Sequence, residues 1–97
     1  MRTIHKYPLI PGQVNKVKMP MASDIISAGY AQGQVCIWAE VETKDEMSER
    51  AIGVFGTGQE IKEDFAMEKI GTVVQPIKQD GAEGLSRDLV WHVFEIL

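Results

Sequence analysis

The sequence predicts a mainly β protein, a compact antiparallel β-sandwich or partly open barrel of about seven short strands with one short helix. Three observations predict it. Apolar and polar residues alternate over short runs, most cleanly across Gln34–Glu42. Gly, Pro, Asn and Asp punctuate the spaces between those runs at near-regular intervals. Helical spacing occurs in one short stretch only. A chain of 97 residues suits a single domain, residues 1–97, with one hydrophobic core.

Ile4–Leu9 reads as the first strand, ended by Pro8 and the Pro11-Gly12 turn. Gln13–Met19 alternates, with Val14, Lys16 and Lys18 on one side and Asn15, Val17 and Met19 on the other. Pro20 ends it. Asp24–Tyr30 is the third strand, supported by the β-formers Ile25 and Ile26. Gln32-Gly33 then turns into the clearest strand, Gln34–Glu42. Val35, Ile37, Ala39 and Val41 form its core face, and Cys36, Trp38, Glu40 and Glu42 form the other.

Thr43–Arg50 is rich in charge and reads as a polar loop. Ala51–Phe55 resumes a strand, expected to form a hairpin with the Trp38 strand because sequence neighbours usually pair. Gln59–Lys69 is the helical candidate, with Ile61 and Phe65 four residues apart. Gly71–Ile77 returns to β character. Gln79–Arg87 is a Gly-rich polar loop whose Asp80-Gly81 and Glu83-Gly84 pairs signal a hairpin. Leu89–Ile96 is apolar on both faces, as in a strand that is central and covered on both sides or meets another subunit.

Net charge is −4, so the surface as a whole is not built for bulk nucleic-acid binding. Arg2, Lys6, Lys16 and Lys18 form a local basic group, which a solvated strand face explains. Cys36 is the only cysteine, so no intramolecular disulfide can form and a cysteine zinc site lacks partners. Val35 and Ile37 beside it point to a buried structural thiol. No N-terminal apolar run has signal-peptide length, and no window approaches the ~18 apolar residues of a membrane span. The expectation is a cytoplasmic protein.

Phe55-Gly56-Thr57-Gly58-Gln59-Glu60-Ile61 follows a strand and opens the helical candidate. A Gly-Thr-Gly turn there brings backbone close to whatever lies opposite. At a helix start it also presents amide N–H groups to anions. A plain tight turn uses the same residues. Neither the Walker pattern, the Rossmann fingerprint nor a nucleophile elbow is present, and His5, Cys36 and His92 fall on separate strands. No enzyme activity, cofactor or metal is therefore expected.

Binding suits the residues better. Trp38, Trp91, Tyr7 and Tyr30 supply flat faces for stacking, although core packing also explains the tryptophans. Lys6, Lys18, Arg50, Lys62 and Arg87 can meet phosphate. The candidate ligand-binding set is Lys6, Tyr7, Trp38, Gly56, Thr57, Gly58, Lys62 and His92. Histidine in an apolar strand is as readily a satisfied core residue.

Several segments carry a resemblance: His5-Lys6-Tyr7-Pro8-Leu9, Gly33-Gln34-Val35-Cys36-Ile37-Trp38-Ala39, Gly56-Thr57-Gly58, Ile70-Gly71-Thr72-Val73 and Leu89-Val90-Trp91-His92-Val93-Phe94-Glu95. Together they resemble a family of small, mostly phage-encoded β proteins of unknown function. The resemblance covers nearly the whole chain and implies a phage or prophage origin and a place in the host cytoplasm. It carries over no catalytic residue. The expected function is a non-enzymatic binding protein of the anti-defence kind, a sponge for a nucleotide-type, phosphate-bearing signal. Self-association is expected through the Leu89–Ile96 strand. The alternatives are a protein-binding inhibitor using the acidic Glu40–Glu49 stretch, or a minor virion or assembly protein.

Overall fold

Alternation along each strand decides which side chains meet between the layers. The computed structural model describes residues 1–64, 66–77 and 87–97. The strands are β1 (Arg2–Pro8), β2 (Val14–Pro20), β3 (Asp24–Ala31), β4 (Gln34–Glu42), β5 (Met47–Gly56), β6 (Met67–Ile77) and β7 (Arg87–Ile96). They form two antiparallel sheets, a three-stranded one ordered β1-β4-β3 and a four-stranded one ordered β2-β5-β7-β6. The sheets stack as a sandwich and do not close into a barrel.

The core lies where the inner faces meet. Val35, Ile37, Ala39 and Val41 of β4 are all buried, as their alternation predicts. Val17 and Met19 of β2, Ile52 and Val54 of β5, Val73 of β6 and Val93 of β7 face them. Burial of these side chains is the main stabilising term. β7 is central, paired to β5 and β6, in agreement with its two-sided apolar pattern.

Turn chemistry fixes the register of the first sheet. Gln32 and Gly33 both have positive φ, +51° and +78°, which makes the β3–β4 turn type I′, whose twist matches its strands. Between β1 and β2 the Asn15 side chain binds the backbone of Ile10, accepting from its N–H at 2.8 Å and donating to its C=O at 3.0 Å. On the opposite side of the sandwich β3 and β6 both carry a register shift, at Ile25/Ser27 and Lys69/Gly71. There Gly71 lies against Ala28, where an added Cβ would stand 3.6 Å from the Ala28 Cβ.

Three expectations are corrected. No helix occurs among the described residues: Gln59–Asp64 and Ala66 are irregular, and β6 starts at Met67. β5 and β6 are parallel with β7 between them, so their connection must return along β7 from Trp91 to Ile96, about 17 Å. A helix of one or two turns has a costly nucleus and depends on a packed face, and Ile61–Asp64 are exposed, so no such face offsets that cost. The Phe65 half of the proposed helical pair lies outside the described residues.

Met47–Arg50 is strand rather than loop, because Lys18 faces Glu49 and Val17 faces Arg50 across the β2–β5 ladder. The expected hairpin between the Trp38 strand and Ala51–Phe55 does not form. β1 and β3 occupy both edges of β4, and the chain crosses to the other sheet after Glu42. The hairpin signals at Asp80-Gly81 and Glu83-Gly84 lie outside the described residues, between β6 and β7, which pair as far as Ile77↔Arg87.

Candidate functional site

The structure divides the candidate residues, Tyr7 apart, between two places. The first is the outer face of the three-stranded sheet. Lys6 of β1 stands directly opposite Trp38 of β4, so both side chains point the same way, away from the core. The Trp38 ring lies over Gly29, where a Cβ would come 2.9 Å from Cζ3 and 3.3 Å from Cη2. Gly29 is needed there for space. Trp38 is half-buried, and among the described residues none accepts a hydrogen bond from its Nε1–H. Lys6 Nζ donates to Gln32 Oε1 at 2.8 Å. Further along, Arg2 pairs with Glu40 and the N-terminal ammonium with Glu42.

Beneath this face Cys36 is 1% exposed, its Sγ 3.6 Å from the Gly29 carbonyl oxygen. Burial pushes the thiol's pKa up, against the opposing pull of the Lys6 ammonium and a backbone hydrogen bond with Ala31. Tyr7 belongs to the other face. It packs against the core, burial raises its pKa, and it does not join Lys6 and Trp38.

The second place is the end of β5. Thr57 Oγ1 lies 2.8 Å from His92 Nε2 on β7. Gly58 has φ +86°, a left-handed conformation that glycine adopts without strain. Gln59 latches the turn: its Oε1 accepts from Gly56 N–H at 2.9 Å and its Nε2 donates to the Gly12 carbonyl at 2.8 Å. The Thr57 and Gln59 amides donate to the carbonyls of Val90 and Gly56. Most amides of the turn are thus committed within the protein, and no helix start stands behind them. The anion-cradle reading loses both of its supports here. Lys62 is exposed on the same connection, beyond the turn.

A cleft of about 640 Å³ opens between this turn and β7, lined by Gly56–Gln59 and Asp88–Trp91. Trp91 closes one wall, its Nε1 donating to Gln75 Oε1 at 2.8 Å, and it packs on the core.

A third polar group engages Arg50, named above among the cations that can meet phosphate, in a pairing with Glu95 that sequence reasoning missed. Arg50 binds Glu95 through two bonds, Nε to Oε2 at 2.5 Å and Nη2 to Oε1 at 2.8 Å, and its Nη1 donates to the Ser23 carbonyl. The hydrogen bonds that Arg50 donates to Glu95 lift its pKa against desolvation. A signal existed: Arg50 precedes the buried Ile52 by two residues and Glu95 follows the buried Val93 by two, so both point inward with opposite charge. Gln32, Gln59 and Gln75 were missed because their roles depend on distant partners.

Among the described residues no group of three or more His, Cys, Asp or Glu could hold a metal ion. No helix there is long and apolar enough to cross a membrane. Fold and surface together define a small all-β sandwich domain with an aromatic–lysine face and a cleft beside its central strand. The chain belongs to the family described as Domain of unknown function (DUF7352), whose model matches residues 1–96. No curated protein and no solved structure matches it.

Proposed function

We propose that this protein is a non-enzymatic binding protein that sequesters a small phosphate-bearing, nucleotide-type ligand on the outer face of its three-stranded sheet. The observation that carries the reading is the Lys6–Trp38 cross-strand pair. A base can stack on the indole while its phosphate meets the ammonium, and a base has a π-face for any such ring. The indole rests in the space that a side chain at Gly29 would fill, close against the sheet, which lowers the ordering cost of stacking. Resemblance to small phage-encoded β proteins supports a phage or prophage origin, a host-cytoplasm location and a counter-defence role.

His92 lies on β7 of the other sheet and Thr57 and Lys62 on the connection that leaves it, so they are not part of this ligand's contacts. β7 is paired on both sides from Trp91 to Ile96, so self-association through it would use outward side chains such as Phe94 and Ile96. The acidic-stretch reading has less support. Arg2 offsets Glu40, the N-terminus offsets Glu42, and Lys18 faces Glu49.

Native mass spectrometry of gently purified protein, followed by calorimetric titration with cyclic oligonucleotides and ADP-ribose, tests the proposal. Binding to one of them should weaken about tenfold or more in Trp38→Ala and Lys6→Ala, and persist in Trp91→Phe. A chain that retains no small molecule and binds none of these probes sinks the reading.

A further inference from the structure

β5 stops at Gly56, opposite Trp91, while β7 continues back to Arg87. β7 therefore outlasts its neighbour and leaves a step in the sheet, and the cleft of about 640 Å³ fills that step. Which backbone groups face the step follows from alternation. Thr57 N donates to Val90 O at 3.3 Å, so the polar groups of Val90 point toward the β5 side. Two residues along, those of Asp88 point the same way.

The opposite strand gives an independent check. Asp88 stands across from Pro76 of β6, which has no N–H to exchange, as expected of a pair whose polar groups face outward. Asp88 N–H, Asp88 C=O and Val90 N–H are thus presented to the cleft. The Val90 N–H forms no bond to Thr57 or any other residue of that turn. Leu89, 41% exposed, and Trp91 add apolar surface beside this edge. The Gln59 latch holds the Gly56–Gln59 turn in place, so the turn does not fold down to cover the edge.

We propose that this step binds an extended polypeptide segment of a partner protein, which adds a short strand beside β7 in the place β5 vacates. Recognition is chiefly by backbone, with alternate side chains setting preference. Among the described lining residues Asp88 is the charged one, so the segment carries a basic residue near it and an apolar residue over Leu89 and Trp91. The added strand touches neither Lys6 nor Trp38, and the inference stands independently of the nucleotide reading.

The probe is a library of random heptapeptides displayed and selected on the full chain, with the best peptide then synthesised in singly N-methylated forms. N-methylation at alternate positions should weaken binding about three- to tenfold, the size of one lost backbone hydrogen bond, and leave the positions between unaffected. The Asp88 and Val90 amides should exchange more slowly with peptide bound. Asp88→Pro removes a cleft-facing donor without touching the β6 ladder, and should weaken the peptide by a similar factor while the melting temperature holds. Asp88→Asn should lose only the preference for a basic residue. Failure to select any peptide, uniform effects of N-methylation, or unchanged binding by Asp88→Pro overturns the proposal. Concentration-dependent dimerisation that protects Asp88 and Val90 without peptide overturns it too, and assigns the step to a second copy.

Discussion

Trp38 occupies the space that a side chain at Gly29 would need: an added Cβ would stand 2.9 Å from the indole Cζ3. The same relation recurs in the other sheet. A Cβ on Gly53 would come 2.5 Å from Phe55 Cε2, and one on Gly56 3.2 Å from Trp91 Cζ3. Aromatic rings thus shield bare backbone at three strand positions, restoring apolar cover that glycine alone cannot give. Gly29→Val should lift Trp38 from the sheet and destabilise the fold by about 1–3 kcal/mol, the cost of overpacking. Urea unfolding measures the loss. In a Trp91→Phe background the emission of Trp38 should shift red, and an unmoved spectrum would contradict the packing.

Arg50 and Glu95 form a two-bond pair at the inner edge of the sandwich, with side chains 24% and 16% exposed. Removing one partner strands the other in a partly desolvated place. Arg50→Ala should cost about 2 kcal/mol, and Glu95→Gln, which keeps an acceptor, about 1 kcal/mol. A double-mutant cycle by denaturant unfolding should give a coupling of about 1–2 kcal/mol. Strict additivity would mean that the two charges act independently.

The strands were legible because period-2 alternation is a local signal. Gln34–Glu42 reads correctly residue by residue, and the core face Val35, Ile37, Ala39 and Val41 follows from it. The Gln32-Gly33 turn was legible for the same reason, since its chemistry is contained in adjacent residues. Strand partners were not. The β4–β5 adjacency in sequence suggested a hairpin, but long-range pairing with β1 and β3 took both edges of β4. Met47–Arg50 looked like a loop because its inward charge, Arg50, is neutralised by Glu95 far along the chain. The candidate site was legible only in parts. Composition marked Lys6 and Trp38 separately, whereas their opposition depends on register. Tyr7 was misplaced beside them because adjacent strand residues point to opposite faces.

Gln32 sits in the left-handed region at φ +51°, which an unbranched non-glycine side chain tolerates poorly. Asparagine suits the first central position of a type I′ turn better. Gln32→Asn should stabilise the protein by about 0.5 kcal/mol, reduced slightly by loss of the exposed bond from Lys6. The urea midpoint should rise with the slope unchanged, as for a change in stability alone.

Two groups give opposite pH limits. The N-terminal ammonium, hydrogen-bonded to Glu42, is the main cause holding that carboxyl below its ordinary 4.5, with the Lys44 amide next. A depressed carboxyl stabilises the fold above its unfolded value, and the contribution is lost as pH falls through the folded value. Acetylating the N-terminus should move the Glu42 titration, followed by NMR, back toward 4.5. Cys36 acts at the other limit. Burial raises its pKa above the ordinary 9.0, so its contribution is present below that value and lost as pH rises through the folded one. At pH 8 iodoacetamide should alkylate native Cys36 far more slowly than the urea-unfolded chain, because only opened molecules expose the thiolate. Lys6→Ala removes a charge that favours that thiolate and should push the thiol higher still. A thiol that titrates at or below 9.0 in the Lys6→Ala protein would mean that Cys36 is not sealed beneath the Lys6–Trp38 face.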